Sequence, residues 1–240
     1  IKDFFEQLAG GSVPGDLEGR AARLGCDLDQ RYIVLAAAPV DDALEKAVAA
    51  AAPRGSLFDR RDDSIRGLLR IPMSGEEPLL EKLREVHAAL DTPVSVGISH
   101  VCQGAASFRA GFEEAQHALL GASVIRGKPA VMTYEELGPY KYLLRMPIDS
   151  AMRDQHRDAV TRIAEYDRQR QTALLRTLEE FLRRRGNISA TAEALYVHPN
   201  TLRQRLRRIQ ELSGIDLRKD DWLLVEIAVK MVKLQEALGR

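Results

Sequence analysis

Cysteine is scarce in this chain, with Cys26 and Cys102 the only two in 240 residues. Neither belongs to a CxxC or Cys/His spacing, so a disulfide framework or a zinc site is not expected. A reducing cytoplasm is the default compartment. No run approaches ~18 consecutive apolar residues, so no membrane span is expected. Residues 1–15 lack a basic start followed by an apolar core, so no signal peptide is read there. The five histidines, His87, His100, His117, His156 and His198, include no i,i+4 pair and no nearby set of cysteine ligands, so no metal site is expected. Net charge is zero, which by itself argues nothing for nucleic acid.

What is present is an ordinary globular composition, 45% hydrophobic and 29% charged, on a chain long enough for two modest domains. It begins at Ile1 and is read as a fragment, with a further domain expected before it. Charge is unevenly placed. From Arg183 to Arg208 there are seven arginines, no lysine and one acid, Glu193, a segment of net +6 that leaves the rest at −6. Such asymmetry is the electrostatic footprint of a polyanion-binding surface.

Periodicity divides the chain. Short helices are expected over 1–10 and 17–24, the first broken by the Gly10–Gly15 stretch. Tyr32–Ala38 reads as a buried strand, followed by a helix capped at Asp41 or Asp42 and ending before Pro53. Ser56–Asp59 and Ser64–Ile71 read as a hairpin joined by Arg60-Arg61-Asp62-Asp63. An amphipathic helix over Glu76–Leu90, a strand over Val94–Ser99, a helix over Ser107–Leu120 and a strand over Ala130–Tyr134 complete an α/β sandwich. Met152–Tyr166 reads as a charged connecting helix. The expected fold class is α+β: a lead-in over 1–27, an α/β sandwich over 28–140, a connector over 141–170 and an all-α domain over 171–240.

The all-α segment carries the functional signal. Leu174, Leu175, Leu178, Phe181 and Leu182 form one apolar stripe, stopped by Gly186. Ser189 is expected to cap a short helix, Ala190–Leu195, whose alanines let a second helix cross closely. A tight turn, Tyr196-Val197-His198, leads to Pro199 at a first helical position, where its missing N–H costs nothing. In the helix Pro199–Leu212, Leu202, Leu206 and Ile209 share the inner face. Asn200, Gln204, Arg207 and Arg208 lie opposite, with Thr201, Arg203 and Arg205 on the flanks. Arg reads guanine, Asn and Gln read adenine, and Arg also holds phosphate. This is the helix-turn-helix arrangement, with the second helix in the major groove of duplex DNA. Ser189, His198, Asn200, Thr201, Arg203, Gln204, Arg205, Arg207 and Arg208 are the expected DNA-binding residues, and His198 either caps the helix or touches phosphate. A solvated arginine face on a plain helical bundle is the competing reading.

The stretch GNISATAEALYVHPNTLRQRLRRIQELSGIDL, with LLRTLEEFL before it and the closing helix Trp222–Leu234 after it, resembles the C-terminal domain of PucR/CdaR-type bacterial transcriptional regulators. Gln204 departs from the aromatic residue common there, which bears on base preference. VSVGIS, the helix ending EEAQHALL and the strand with VMTYEEL resemble the second half of a GGDEF-like domain. The resemblance implies a sequence-specific regulator with no cofactor and no catalytic residues, acting as a homodimer. It also implies a small-molecule effector bound by a preceding domain. Active cyclases of the GGDEF type carry a glycine pair and metal-binding acids at the central hairpin. Here that turn is Phe58-Asp59-Arg60-Arg61-Asp62-Asp63, so a non-catalytic domain is expected. The alternative is a nucleotide-binding or protein-interaction module that does not bind DNA.

Overall fold

The computed structural model describes residues 1–11, 16–90, 93–127, 129–146 and 154–239. The chain forms two compact units, residues 1–146 and 147–240. The first contains α1 (Lys2–Gly10), α2 (Leu17–Arg23), β1 (Tyr32–Ala38), α3 (Asp42–Ala51), β2 (Leu57–Arg61), β3 (Ser64–Arg70), α4 (Glu76–Ala89), β4 (Ser95–Cys102), α5 (Phe108–Gly121), β5 (Val131–Thr133) and α6 (Tyr140–Leu143). The second contains α7 (Gln155–Arg170), α8 (Leu174–Arg183), α9 (Ile188–Ala194), α10 (Pro199–Ser213) and α11 (Trp222–Ala237). The Gly10–Gly15 break lies largely, and the Met152 start of the connecting helix wholly, outside the described residues. No helix among the described residues is long and apolar enough to cross a membrane.

The sheet of the first unit runs β2-β3-β1-β4-β5, antiparallel except for the parallel β4–β5 pair. Successive side chains of a strand point to opposite faces, and β1 supplies both cores. Tyr32, Val34 and Ala36 pack with Phe4, Phe5 and Leu8 of α1 and Phe108, Phe112 and Ala115 of α5. Ile33, Leu35 and Ala37 pack with Leu44 and Val48 of α3 and Leu79, Leu80 and Leu83 of α4. Phe4, Phe5 and Leu8 of α1, Leu17 and Ala21 of α2, and Cys26 therefore belong to the first of these cores. Asp41 is the cap of α3, accepting from the Leu44 N–H at 2.8 Å.

The hairpin is tighter than the sequence suggests. β2 continues through Arg60 and Arg61, Arg61 pairs with Ser64, and only Asp62 and Asp63 form the turn. Two strands of matched register gain two further backbone pairs this way, and Asp62 takes the left-handed conformation (φ 50°) that such a turn requires. The tip is tied to the start of α3. Arg60 donates to Asp42 at 2.6 Å and pairs with Glu45, and Asp63 accepts from the Val40 N–H at 3.2 Å.

Helix α5 crosses β4 with no space to spare. A Cβ on Gly97 would lie 2.1 Å from the Ala115 carbonyl oxygen and 2.2 Å from the Leu119 nitrogen, both backbone atoms of α5. Gly97→Ala must push helix and sheet apart. It is expected to cost at least ~1–3 kcal/mol, the range for overpacking a close-packed core. An unchanged urea midpoint would contradict this packing. Both thiols sit in the core on the α5 side. Burial raises both, and Cys102 is pushed up to about 11. At pH 8 they stay protonated and inert, so alkylation by iodoacetamide should be slow in the native protein and complete only in denaturant.

Candidate DNA interface

The helical unit is organised around α10. Leu202 and Ile209 are fully buried, and Leu206 and Leu212 are half-buried. Around Ile209 lie Leu178 and Leu182 of α8, Val160 and Ile163 of α7, and Val225 and Val229 of α11. Helix α7, read from the sequence as a connector, is thus a wall of this core. It also grips α10 through polar contacts. Arg162 donates to the carbonyls of Ser213 at 2.8 Å and Leu212 at 3.3 Å, satisfying orphan acceptors at the negative end of α10. Asp167 caps α8 from outside, accepting from the Leu174 and Leu175 N–H groups at 2.8 Å each.

The connection from α8 to α9 is set by Arg185 and Gly186, both left-handed at φ 53° and 76°. Gly186 closes α8 with its N–H on the Phe181 carbonyl at 2.9 Å, while Trp222 packs where a Cβ would go. Asn187, not Ser189, caps α9, its Oδ1 accepting from the Ala190 N–H at 2.9 Å. The helix starts at Ile188, which places Ser189 inside the first turn, exposed. The signal was available, because Asn is as good a cap as Ser and directly follows the glycine. Tyr196 ends α9 at φ 54°, with its N–H on Glu193 and that of Val197 on Ala192. His198 then caps α10, its Nδ1 accepting from the Asn200 N–H at 3.2 Å. In that tautomer the ring proton sits on Nε2.

The polar face of α10 divides into free and engaged side chains. Asn200, Thr201, Arg203, Gln204 and Arg207 are exposed, and Arg203 donates to the Asn200 Oδ1 at 2.9 Å. Gln204 and Arg207 make no hydrogen bond or ion pair with the described residues. Arg208 stacks over Tyr166 of α7, 4.9 Å from the ring centre, and pairs with Glu211 at 3.0 Å. Arg205 is half-buried and donates to Thr177 of α8 at 3.3 Å. The structure brings Asn200, Arg203, Gln204 and Arg207 together on one ridge; it turns Arg205 toward α8 and Arg208 toward α7.

Capping separates two neighbouring residues of similar chemistry. Asn187→Ala is expected to destabilise the helical unit by ~1 kcal/mol, and Ser189→Ala by much less. Thermal unfolding of the two variants checks it; the reverse order would reinstate Ser189 as the cap.

Comparison with known proteins agrees with this geometry. Residues 174–231 match the PucR C-terminal helix-turn-helix domain, and residues 9–120 match the GGDEF-like domain. The chain is similar to the purine catabolism regulatory protein of Bacillus subtilis, 30% identical over 151 residues, covering 62% of this chain and 28% of that one. An uncharacterized protein of Mycobacterium tuberculosis is 30% identical over 223 residues, 86% of this chain and 51% of its own. The carbohydrate diacid regulator of Escherichia coli is 46% identical over 59 residues, 24% of this chain and 15% of its own. The chain therefore spans at most about half the length of these relatives. It carries a GGDEF-like domain followed by a PucR C-terminal helix-turn-helix domain, and the relatives that carry a functional name are transcriptional regulators of the PucR and CdaR type.

Proposed function

We propose that this chain is the DNA-binding portion of a cytoplasmic transcriptional regulator, with α10 as the helix that enters the major groove. The observation that carries the reading is the partition of α10. Its apolar side is sealed against α7 and α8, while Asn200, Arg203, Gln204 and Arg207 stand exposed on one ridge. Arg and Gln side chains with no internal partner keep their donors for base edges and phosphates. Thr201 flanks the ridge. Ser189, in the first turn of α9, and the exposed ring of His198 serve the DNA backbone, where a helix N-terminus also favours phosphate. Arg205 and Arg208 support the helix first and reach phosphate only by leaving Thr177, Tyr166 or Glu211.

The protein binds as a homodimer in this reading, because helix-turn-helix units read paired half-sites about one helical turn apart. Leu223 and Leu224 on α11 are exposed apolar side chains available to such an interface. A small-molecule effector acts through a domain outside this chain; the coverage of the relatives supports that division. The GGDEF-like domain serves assembly and relay without catalysis. The support is chemical: the hairpin has no glycine pair for a nucleotide, and Arg60 neutralises Asp42 and Glu45 beside it. An arginine held there opposes binding of a divalent cation by those carboxylates.

The test is fluorescence anisotropy with a labelled duplex from upstream of the protein's own gene. Arg203→Ala/Arg207→Ala is expected to weaken binding by ~1–3 kcal/mol for each arginine that reads a base. If both arginines lie on phosphate, the slope of log K against log salt falls by ~2. Unchanged affinity and slope would overturn the assignment of α10.

A further inference from the structure

Two exposed residues flank α9 in the chain, Arg185 in the turn that closes α8 and Tyr196 at the end of α9, and neither has a role in groove reading by α10. Arg185 precedes α9 and Tyr196 follows it, and both hold left-handed backbone conformations, at φ 53° and 54°. A residue with a Cβ is disfavoured there relative to glycine. Glycine would serve the local fold at least as well, since the turn bonds are made by backbone atoms: Arg185 N–H to Leu182, Tyr196 N–H to Glu193. Neither side chain offsets that conformation from inside the protein. Tyr196 is 95% exposed, and neither its hydroxyl nor the Arg185 guanidinium makes a hydrogen bond, ion pair or ring contact with the described residues.

Their chemistry and spacing fit one ligand. Helix α9 has seven residues and is ~10 Å long at 1.5 Å per residue. In a helix-turn-helix unit the first helix crosses the DNA backbone. An arginine in the turn before that helix and a tyrosine just after it are both donors used on phosphate oxygens. An exposed tyrosine alone would need no explanation, and Asp62 and Gln171 hold the same conformation elsewhere; what sets Arg185 and Tyr196 apart is that two such residues flank one short helix, both exposed and both with their polar groups unengaged by the described residues.

We infer that Arg185 and Tyr196 bracket α9 as a phosphate clamp, fixing the register of the unit on duplex DNA from either side of its first helix. The clamp rests on the reading of α10 as the groove helix. It differs in chemistry: it acts on the backbone alone, so its loss weakens all sequences alike and leaves base preference intact.

The experiment uses the whole chain and two labelled duplexes, one from upstream of its own gene and one of random sequence. Arg185→Gly and Tyr196→Gly remove the side chains while relieving the backbone, so their melting temperatures are expected to hold or rise. Each is expected to weaken binding to both duplexes by roughly tenfold, the scale of a hydrogen bond to a charged group. Arg185→Gly should also lower the salt slope by ~0.9. Tyr196→Phe keeps the ring and the fold and should show the part due to the hydroxyl, even if Tyr196→Gly does not fold. Folded glycine variants with wild-type affinity, measured beside an Arg203→Ala/Arg207→Ala variant that binds weakly, would overturn the clamp and leave the α10 reading standing. Loss confined to the gene's own duplex would also overturn it. Wild-type affinity in the α10 variant as well would remove the foundation of both.

Discussion

The orientation of α10 is the constraint on which the candidate interface depends. Ile209 is buried in the core made by α7, α8 and α11, and Leu202, two turns earlier on the same side of the helix, is also fully buried. Burying two such side chains is worth ~1.5–3 kcal/mol each relative to exposure, far more than any single surface contact. Once that side is fixed, a helix of 3.6 residues per turn has no freedom over what faces outward. Asn200, Arg203, Gln204 and Arg207 are exposed because Leu202 and Ile209, on the other side of the helix, are not. Arg162 and the Tyr166–Arg208 stack then fix the far end of the helix against α7. The arrangement is rigid at its core and chemically open at its face, which is what a recognition surface requires.

The GGDEF-like domain is held by a different device. Its central strand is buried on both sides, and a charged group lies within the layer it shares with α1 and α5. Arg66 on β3 is almost fully buried, pairs with the equally buried Asp59 and with Glu6 of α1, and lies 5.5 and 5.9 Å from the ring centres of Phe5 and Phe112. Such a pair contributes little net stability over an apolar pair, but breaking it leaves an uncompensated buried charge. Arg66 therefore fixes where α1 must sit. On the opposite side of the hairpin, Arg60 occupies the carboxylates of α3. The two arginines together turn the hairpin into a structural joint.

Much of this is legible in the sequence because it rests on local rules. The run Tyr32–Ala38 is a strand at the bounds its β-branched and small apolar residues indicate, and Asp41, Pro199 and Gly214 punctuate helices as their chemistry dictates. The inward set Leu202, Leu206 and Ile209 follows from spacing alone. What is not legible depends on partners distant in sequence. Nothing near Arg205 tells it to turn toward Thr177, 28 residues away, and nothing in the charged run 155–170 announces that Val160 and Ile163 meet Ile209. Ser189 reads as a cap for a local reason: two residues of similar capping strength stand two positions apart, and the backbone selects the one next to the glycine. The hairpin strand reads too short because charged residues suggest a turn, whereas Arg60 and Arg61 stay in the strand to reach acids on α3 and α1.

The sequences that the purified chain enriches from fragmented genomic DNA test the role of α10 most directly. A groove-reading α10 on paired units predicts a recovered motif with two-fold symmetry, its half-sites ~10–10.5 base pairs apart or a multiple of that. Recovery of no sequence above the random background, with retention that disappears at moderate salt, would show a merely basic surface and contradict the central claim.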